Sequence, residues 1–353
     1  MSFFGASNST NQELQKDVQV QDGPEDSISE LAFSPQAEFM AVASWDRKTR
    51  IYELQQSGQT VGKALLEHEA PVLSCCWSSD GSKVASAGAD KAARLLDLNS
   101  PTQPQQIAVH EMPIKSIRFV NGGPTGQLVV TGSWDKTLKY WDLRQQQPIG
   151  TVQLPDKCYS LDVKDSLLVA GTAERHIAII NLNNPTTIFK TIQSPLKQQT
   201  RVVTCFPNAV GFGVGSVEGR CAIQYIDDKD SSQNFSFKCH RETSPTSSTQ
   251  SQVYSVNAVN FHPQYLSTFT TAGADGTFHF WDKDSHHRLK GYSTVGGSLS
   301  CTAFNRTGSV FAYAVSYEWS KGFQGNTPQH PNKIMLHPTR EEEIKPRVKP
   351  KTR

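Results

Sequence analysis

The ten-residue phrase Ser133-Trp134-Asp135-Lys136-Thr137-Leu138-Lys139-Tyr140-Trp141-Asp142 returns in altered form along almost the whole chain. It reappears as Ser44-Trp45-Asp46-Arg47-Lys48-Thr49-Arg50-Ile51-Tyr52-Glu53, as Gly88-Ala89-Asp90-Lys91 closing on Leu96-Asp97, and as Ala274-Asp275-Gly276-Thr277 closing on Trp281-Asp282. Such a repeat constrains the fold more than composition does. Each copy is one supersecondary unit that cannot bury its apolar face alone, so copies must stack on neighbours. Apolar landmarks closing a short strand at the head of each unit give the count: Phe33, Trp77, Phe119, Val163, Phe206, Phe261 and Phe304. They lie 42 to 44 residues apart, except for 55 between Phe206 and Phe261. Seven units result, each of four-stranded-blade length.

A turn acid keeps the same rhythm at Asp46, Asp90, Asp135, Glu174, Glu218, Asp275 and Glu318. Between these turns, runs such as Leu128-Val129-Val130-Thr131 and Ile177-Ala178-Ile179-Ile180 carry the β-branched composition of strands. No stretch has the period of an amphipathic helix. The long interval holds an insertion, Arg241 to Gln250, that is polar and reads as a loop. The predicted fold is therefore all-β, and the seven units resemble those of a seven-bladed β-propeller, whose radial closure leaves only short, protected sheet edges. These units are identified as WD repeats. Propellers of that family close by lending an N-terminal strand to the last blade, and residues 17–21, Asp17-Val18-Gln19-Val20-Gln21, alternate suitably for it. The expected organisation is a disordered tail over 1–16, the propeller over 17–340 with 17–21 as closing strand, and a charged disordered tail over 341–353.

Composition narrows the function classes. The 353 residues carry a formal charge of +2, so any nucleic-acid contact must come from a local patch. The 7 cysteines include no C-x-x-C pair and several sit at apolar strand positions, which predicts reduced core thiols and a cytosolic or nuclear setting. Sequons at Asn8, Asn234 and Asn305 follow no secretory signal pattern and are expected to stay unmodified. No apolar run is long enough to cross a membrane as a helix. The final segment, Glu341 to Arg353, separates an acidic block from a basic one, the pattern of a solvated tail.

Catalytic and metal-binding motifs are absent: no G-x-S-x-G, no H-E-x-x-H, no phosphate-cradling G-x-x-x-x-G-K, no Cys/His ligand spacing. Gly211 to Ser216 lacks the dinucleotide pattern and reads as a close-packed strand. His286-His287 reads as a solvated loop. The expectation is no enzyme, no catalytic or metal-ligating residue, no cofactor and no small-molecule substrate. Where the repeat is complete, His110, Thr131, Asp135 and Trp141 form a set that the WD-repeat resemblance assigns to a buried hydrogen-bonded chain. His68, Ser86 and Asp90 make a partial version, and His240, Thr271, Asp275 and Trp281 another. A set recurring blade after blade is structural, since buried polar groups need partners.

Several stretches are more specific than the repeat: Thr172-Ala173-Glu174-Arg175-His176-Ile177-Ala178-Ile179-Ile180-Asn181-Leu182, Gly215-Ser216-Val217-Glu218-Gly219-Arg220-Cys221-Ala222-Ile223, Phe235-Ser236-Phe237-Lys238-Cys239-His240-Arg241, and Ser316-Tyr317-Glu318-Trp319. Together they resemble the nuclear-pore-associated mRNA export factors, WD-repeat nucleoporins that bind the GLEBS hairpin of an FG-repeat nucleoporin. The resemblance runs from about residue 17 to about residue 340. It implies a non-enzymatic adaptor at the nuclear pore and nuclear rim, partly cytoplasmic, that supports mRNA export. A mitotic-checkpoint WD propeller that binds a similar hairpin is the alternative, and a general RNA-binding propeller a third. The resemblance assigns partner contact to Arg220, together with Glu218 and Arg201. An arginine fork suits a carboxylate partner in a way lysine does not. The resemblance also assigns Phe237, Trp281, Lys283 and Arg288 to a groove contacting RNA and protein partners, with Lys238 and His286 beside them. Aromatic faces there would stack on unpaired bases while cations meet phosphates. His286 stands where the family has a stronger base, which weakens that patch at neutral pH.

Overall fold

A computed structural model describes residues 14–100, 104–120, 128–244 and 247–346. Among these, the strands form seven four-stranded antiparallel sheets and one two-stranded ribbon. Blade 1 is built from Ile28–Phe33, Phe39–Ser44, Lys48–Leu54 and Thr60–Glu67, from the channel outward. The next five repeat that order, starting at Val72–Trp77, Ile114–Val120, Cys158–Lys164, Thr200–Cys205 and Val256–Phe261. Blade 7 joins Leu299–Phe304, Val310–Val315 and Lys333–Pro338 to the two-residue strand Val18–Gln19. Each innermost strand packs on the next, and Leu299–Phe304 packs on Ile28–Phe33, which closes the ring.

The core is distributed between the blades. Seven apolar clusters occupy the seven blade junctions, for example Ala41, Ala43, Val72 and Val84 between blades 1 and 2. Second strands are sandwiched on both faces and hold small residues. A Cβ on Gly215 would come within 2.9 Å of Val202 and Val256 side-chain carbons from the two flanking strands, so the glycine-rich strand Gly211–Ser216 owes its composition to close packing. The blade-5 landmark shifts by one residue. Cys205, paired with Phe212, ends the strand as Phe33 does opposite Met40. Phe206 instead plugs the following turn, against Tyr225 and Phe261.

Three further expectations change. The polar insertion is an antiparallel hairpin, Arg241–Ser244 with Ser247–Val253, not an irregular loop. Threonine's β-branched chain favours extended backbone. At the C-terminus, Glu341–Ile344 forms a helical turn with Glu343 and Ile344 buried, so the acidic block is not a solvated tail. Ile344 inserts into the junction of blades 6 and 7, and Glu343 meets His337 and Arg340. At the other end Leu14 packs on the same cluster. Residues 1–13 and 347–353 of the two expected tails lie outside the described residues.

The chain ends meet at His337, 3% exposed. Its Nδ1 lies 2.7 Å from Asp17 Oδ1 and its Nε2 3.4 Å from Glu343 Oε2. The Tyr313 hydroxyl donates to the other Asp17 oxygen at 2.7 Å. Burial alone would push the imidazole down, but hydrogen bonds and charge from Asp17 and Glu343 outweigh it and hold His337 at about 9. A folded value above the ordinary 6.5 stabilises fully below about pH 6.5 and is lost as pH rises towards about 9. Urea midpoints should therefore fall over that window. In Asp17→Asn, which keeps the shape and removes one charge, the alkaline loss should shrink. An unchanged pH profile in the variant would remove Asp17 from the latch.

Candidate functional site

The turns between second and third strands, which carry the repeated acids, all open at one end of the central channel. Trp45 and Trp134 come from two of these turns, and Tyr317, Glu318 and Trp319 from the long blade-7 connection. With Tyr159 they surround a cavity of about 340 Å³ that also receives Lys115, Arg201 and Asn257. Trp45 and Trp319 stack with ring centroids 3.7 Å apart. Trp319 holds φ at +65°, the left-handed region that bulky residues avoid. Its indole N–H and that of Trp134 are buried without a protein partner, as is the Thr200 hydroxyl lining the same cavity.

Below the mouth, an ionic strut spans the channel. Arg118 donates to Glu30 at 2.7 Å and to Asp162 at 3.3 Å. Glu30 in turn accepts the Cys75 N–H and Asp162 the Cys205 N–H. This saturates Arg118 and leaves Lys115 as the free cation: no described residue receives a hydrogen bond or ion pair from it. Burial pushes the Lys115 ammonium below its ordinary value; Glu30 opposes this and Arg201 reinforces it. Arg201 donates to the Glu318 carbonyl at 2.7 Å. Burial pushes its guanidinium down as well, against the Glu318 charge. For Glu318, burial works to raise the carboxyl, but the Ser320 hydroxyl and the Arg201 charge outweigh it and keep it ionised. The mouth is therefore an aromatic-walled cavity with two cations under burial stress and several unused N–H and O–H donors. An acidic group would meet all of these.

Of the three residues assigned to partner contact, only Arg201 lines this cavity. Arg220 begins the third strand of blade 5 and donates to Ser236 at 3.1 Å. Glu218 is tied into its own turn, its carboxylate accepting the Lys197 N–H and its carbonyl the Arg241 guanidinium. The residues that sequence reading missed are Trp45, Trp134, Lys115 and Trp319. The two tryptophans before the turn acid looked like repeat signature, yet such a turn delivers them to the channel mouth.

A second assembly lies between blades 5 and 6. Trp281 packs on Phe237 (4.6 Å), Phe237 on Phe235 (5.9 Å), and Phe235 on the exposed His286 ring (3.9 Å), forming a partly exposed aromatic strip. Arg288 is exposed and sits opposite Trp281 in register. Two expected members are displaced. Lys283 is 9% exposed, its ammonium bound to the Tyr225 hydroxyl and to Asp284 and packed on the Phe206 ring. Lys238 follows Phe237 in a strand, so it points to the opposite face, the one where Arg220 bonds Ser236. Trp281 also has a structural duty, donating its N–H to Thr271 at 2.9 Å.

The recurrent polar set is hydrogen-bonded throughout. In blade 3, Trp141 N–H meets Thr131 Oγ1 at 2.8 Å, Thr131 Oγ1 meets His110 Nε2 at 2.7 Å, and His110 Nδ1 meets Asp135 at 2.7 Å. Blade 6 repeats it with Trp281, Thr271, His240 and Asp275, and blade 2 in part with Ser86, His68 and Asp90. All lie within sheets and turns and none lines the cavity at the channel mouth, although Trp281 also belongs to the aromatic strip. Among the described residues, no cluster of His, Cys, Asp and Glu is arranged to hold a metal, and no helix is long and apolar enough to cross a membrane.

Comparison with known proteins gives the same repeat. Residues 15–53, 59–97 and 102–142 match the family described as WD domain, G-beta repeat. The chain is 58% identical to the Poly(A)+ RNA export protein of Schizosaccharomyces pombe over 99% of both chains. It is 54% identical to the mRNA export factor GLE2 of Chaetomium thermophilum, again over 99% of each. Protein RAE1 of Arabidopsis thaliana is 48% identical, over 99% of this chain and 98% of its own.

Proposed function

This chain belongs to the RAE1/GLE2 family of WD-repeat mRNA export factors, and we propose that it works as a non-enzymatic adaptor in the export of messenger RNA from the nucleus. In this reading it docks at the nuclear pore on an acidic, GLEBS-type hairpin of an FG-repeat nucleoporin. The hairpin lies across the channel mouth, packs on Trp45, Trp134 and Trp319, and presents a carboxylate to Lys115 and Arg201. The observation that carries it is the composition of that mouth. Aromatic and arginine side chains around a desolvated centre are what dominate binding energies at protein interfaces. A segment that orders on binding needs such anchors to offset its lost entropy. Arg220, on the blade-5 rim, extends the contact outward. A pull-down with an immobilised acidic hairpin peptide tests the reading, which expects stoichiometric, saturable capture of the wild-type chain. No capture would refute it.

The aromatic strip on blades 5 and 6 favours a second contact, with single-stranded RNA. Phe235 and Phe237 offer ring faces to bases, while Arg288 offers charge to phosphates. Arg288→Glu should weaken binding of an oligo-uridine strand, measured by fluorescence anisotropy. The slope of log affinity against log salt should drop by about 1. A slope and affinity unchanged in the variant would place RNA elsewhere.

A further inference from the structure

The helical turn Glu341–Ile344 packs on the third and fourth strands of blade 6, Phe278–Asp282 and His287–Gly291. The Ile344 carbonyl at its end accepts the Thr268 hydroxyl at 2.7 Å. Thr268, Asp282 and His287 lie side by side in one rung of that sheet. Neighbouring strands are about 4.8 Å apart, so Thr268 is about 10 Å from His287. The residue before His287 is His286, whose ring stacks on Phe235 at one end of the aromatic strip. Ile344 is on the face of the blade turned to blade 7, with Phe278 and Phe280, whereas Trp281 meets Phe237 on the other face. The chain therefore leaves the turn at the same end of blade 6 as the strip, across the sheet from it.

From that exit the sequence carries a cation at every second position: Lys345, Arg347, Lys349, Lys351 and Arg353. The acidic block does not cancel this charge, because it is paired within the turn. Lys345 binds Glu341 at 2.6 Å, and Arg340 binds Glu342 at 3.0 Å and Glu343 at 2.7 Å. Arg347, Lys349, Lys351 and Arg353 follow with no acid among them. Residues 345–353 can reach at most about 30 Å. The strip is nearer, about 10 Å along the rung and about 10 Å across the sheet. The channel mouth lies at the other end of the blade, since the strand Thr268–Gly273 runs from this rung towards the Asp275 turn. These cations are thus delivered beside the aromatic strip and not beside the acid-receiving cavity.

We propose that residues 345–353 are a basic arm for the phosphates of the same single strand whose bases stack on Phe235 and Phe237. The proposal rests on the RNA reading of the strip and supplies what the strip lacks. Lys283 is spent on Tyr225 and Asp284, and Lys238 points to the opposite face. That leaves Arg288 as the exposed cation among the residues assigned to the strip. Stacking on aromatic rings is sequence-tolerant, and a track of cations along the backbone supplies the rest of the affinity for a single strand. Docking of an acidic hairpin at the mouth is independent of the arm.

Fluorescence anisotropy with a labelled oligo-uridine of about 15 nucleotides tests it on the full chain. The variant keeps the length and removes the charge: Arg347→Gln with Lys349→Gln, Lys351→Gln and Arg353→Gln. Each phosphate contact on a single strand adds about 0.7 to the slope of log affinity against log salt. Loss of these cations should lower the slope by about 2 to 3 and weaken binding in low salt about tenfold or more. Thermal midpoints should match, which confirms that the variant is folded. Binding to wild type should be one to one, and Arg288→Glu should weaken the same transition, because arm and strip hold one strand. If Arg288→Glu weakens binding but the arm variant keeps the wild-type slope and affinity, the arm is refuted and the strip stands. If wild type fails to bind oligo-uridine, the RNA reading falls and the arm with it. A loss in the arm variant alone, with Arg288→Glu equal to wild type, would overturn the shared strand. Wild type that collects on phosphatidylserine vesicles while leaving oligo-uridine free would make the arm a membrane contact and overturn the proposal.

Discussion

Thr131→Val is expected to be among the most damaging single substitutions in the chain, although it preserves volume and lies in neither of the two proposed contact surfaces. Thr131 is fully buried, and its hydroxyl meets both the Trp141 indole and the His110 ring. Burial pushes His110 down, against the pull of Asp135, so the ring is neutral at physiological pH. A neutral ring that donates from Nδ1 to Asp135 accepts at Nε2. The Thr131 hydroxyl is then the donor to His110 and the acceptor from Trp141. Valine removes both functions and leaves two buried polar groups without partners, at roughly 1–3 kcal/mol each, or about 3 kcal/mol together. Thr131→Ser keeps the hydroxyl and loses one methyl, so it should cost about 1 kcal/mol. Chemical denaturation of the pair separates the explanations. Equal losses in both variants would mean that packing, and not the hydrogen-bonded chain, is what Thr131 supplies.

That network was legible in the chain because it is local to a blade and repeats. His110, Thr131, Asp135 and Trp141 keep their spacing in blade 6, allowing for the insertion, and a recurring constellation is a scaffold. Of the channel mouth only Arg201 was named as a contact from the sequence, through the family resemblance, and the grouping was not legible for the opposite reason. Lys115, Arg201 and Trp319 belong to blades 3, 5 and 7, and only ring closure makes them neighbours. Lys238 is an intermediate case. The two-residue period of a strand already sets it opposite Phe237, so composition alone misled where alternation would not have. The burial of Lys283 depends on Tyr225 of the preceding blade, a contact no spacing within the sixth repeat encodes. The helical turn over Glu341–Ile344 was hidden by its charge. Three consecutive glutamates read as a solvated run until His337 and Arg340 are placed beside the third.

The second large effect is expected at the mouth. Arg201→Glu would set a carboxylate beside Glu318 where the partner's acid is to bind. The loss of a desolvated charge contact, about 3 kcal/mol, corresponds to a weakening of roughly a hundredfold or more. Because Arg201 also holds the Glu318 carbonyl, some of that loss would come from a disturbed blade-7 connection. Lys115 offers the cleaner separation. Its ammonium makes no contact with described residues that the fold depends on, and burial disfavours its charge. Lys115→Met should therefore leave stability unchanged or raise it slightly, as happens when a stressed functional charge is replaced by an apolar chain of similar length. Binding should move the other way.

The most direct measurement is a calorimetric titration of an acidic hairpin peptide into wild type and into Lys115→Met, with the thermal midpoint of each protein recorded alongside. The account predicts one-to-one binding to wild type, affinity reduced about tenfold or more in the variant, and a midpoint that does not fall. Equal affinities for the two proteins would contradict it, because the free cation at the channel mouth would then have no part in holding the acidic partner.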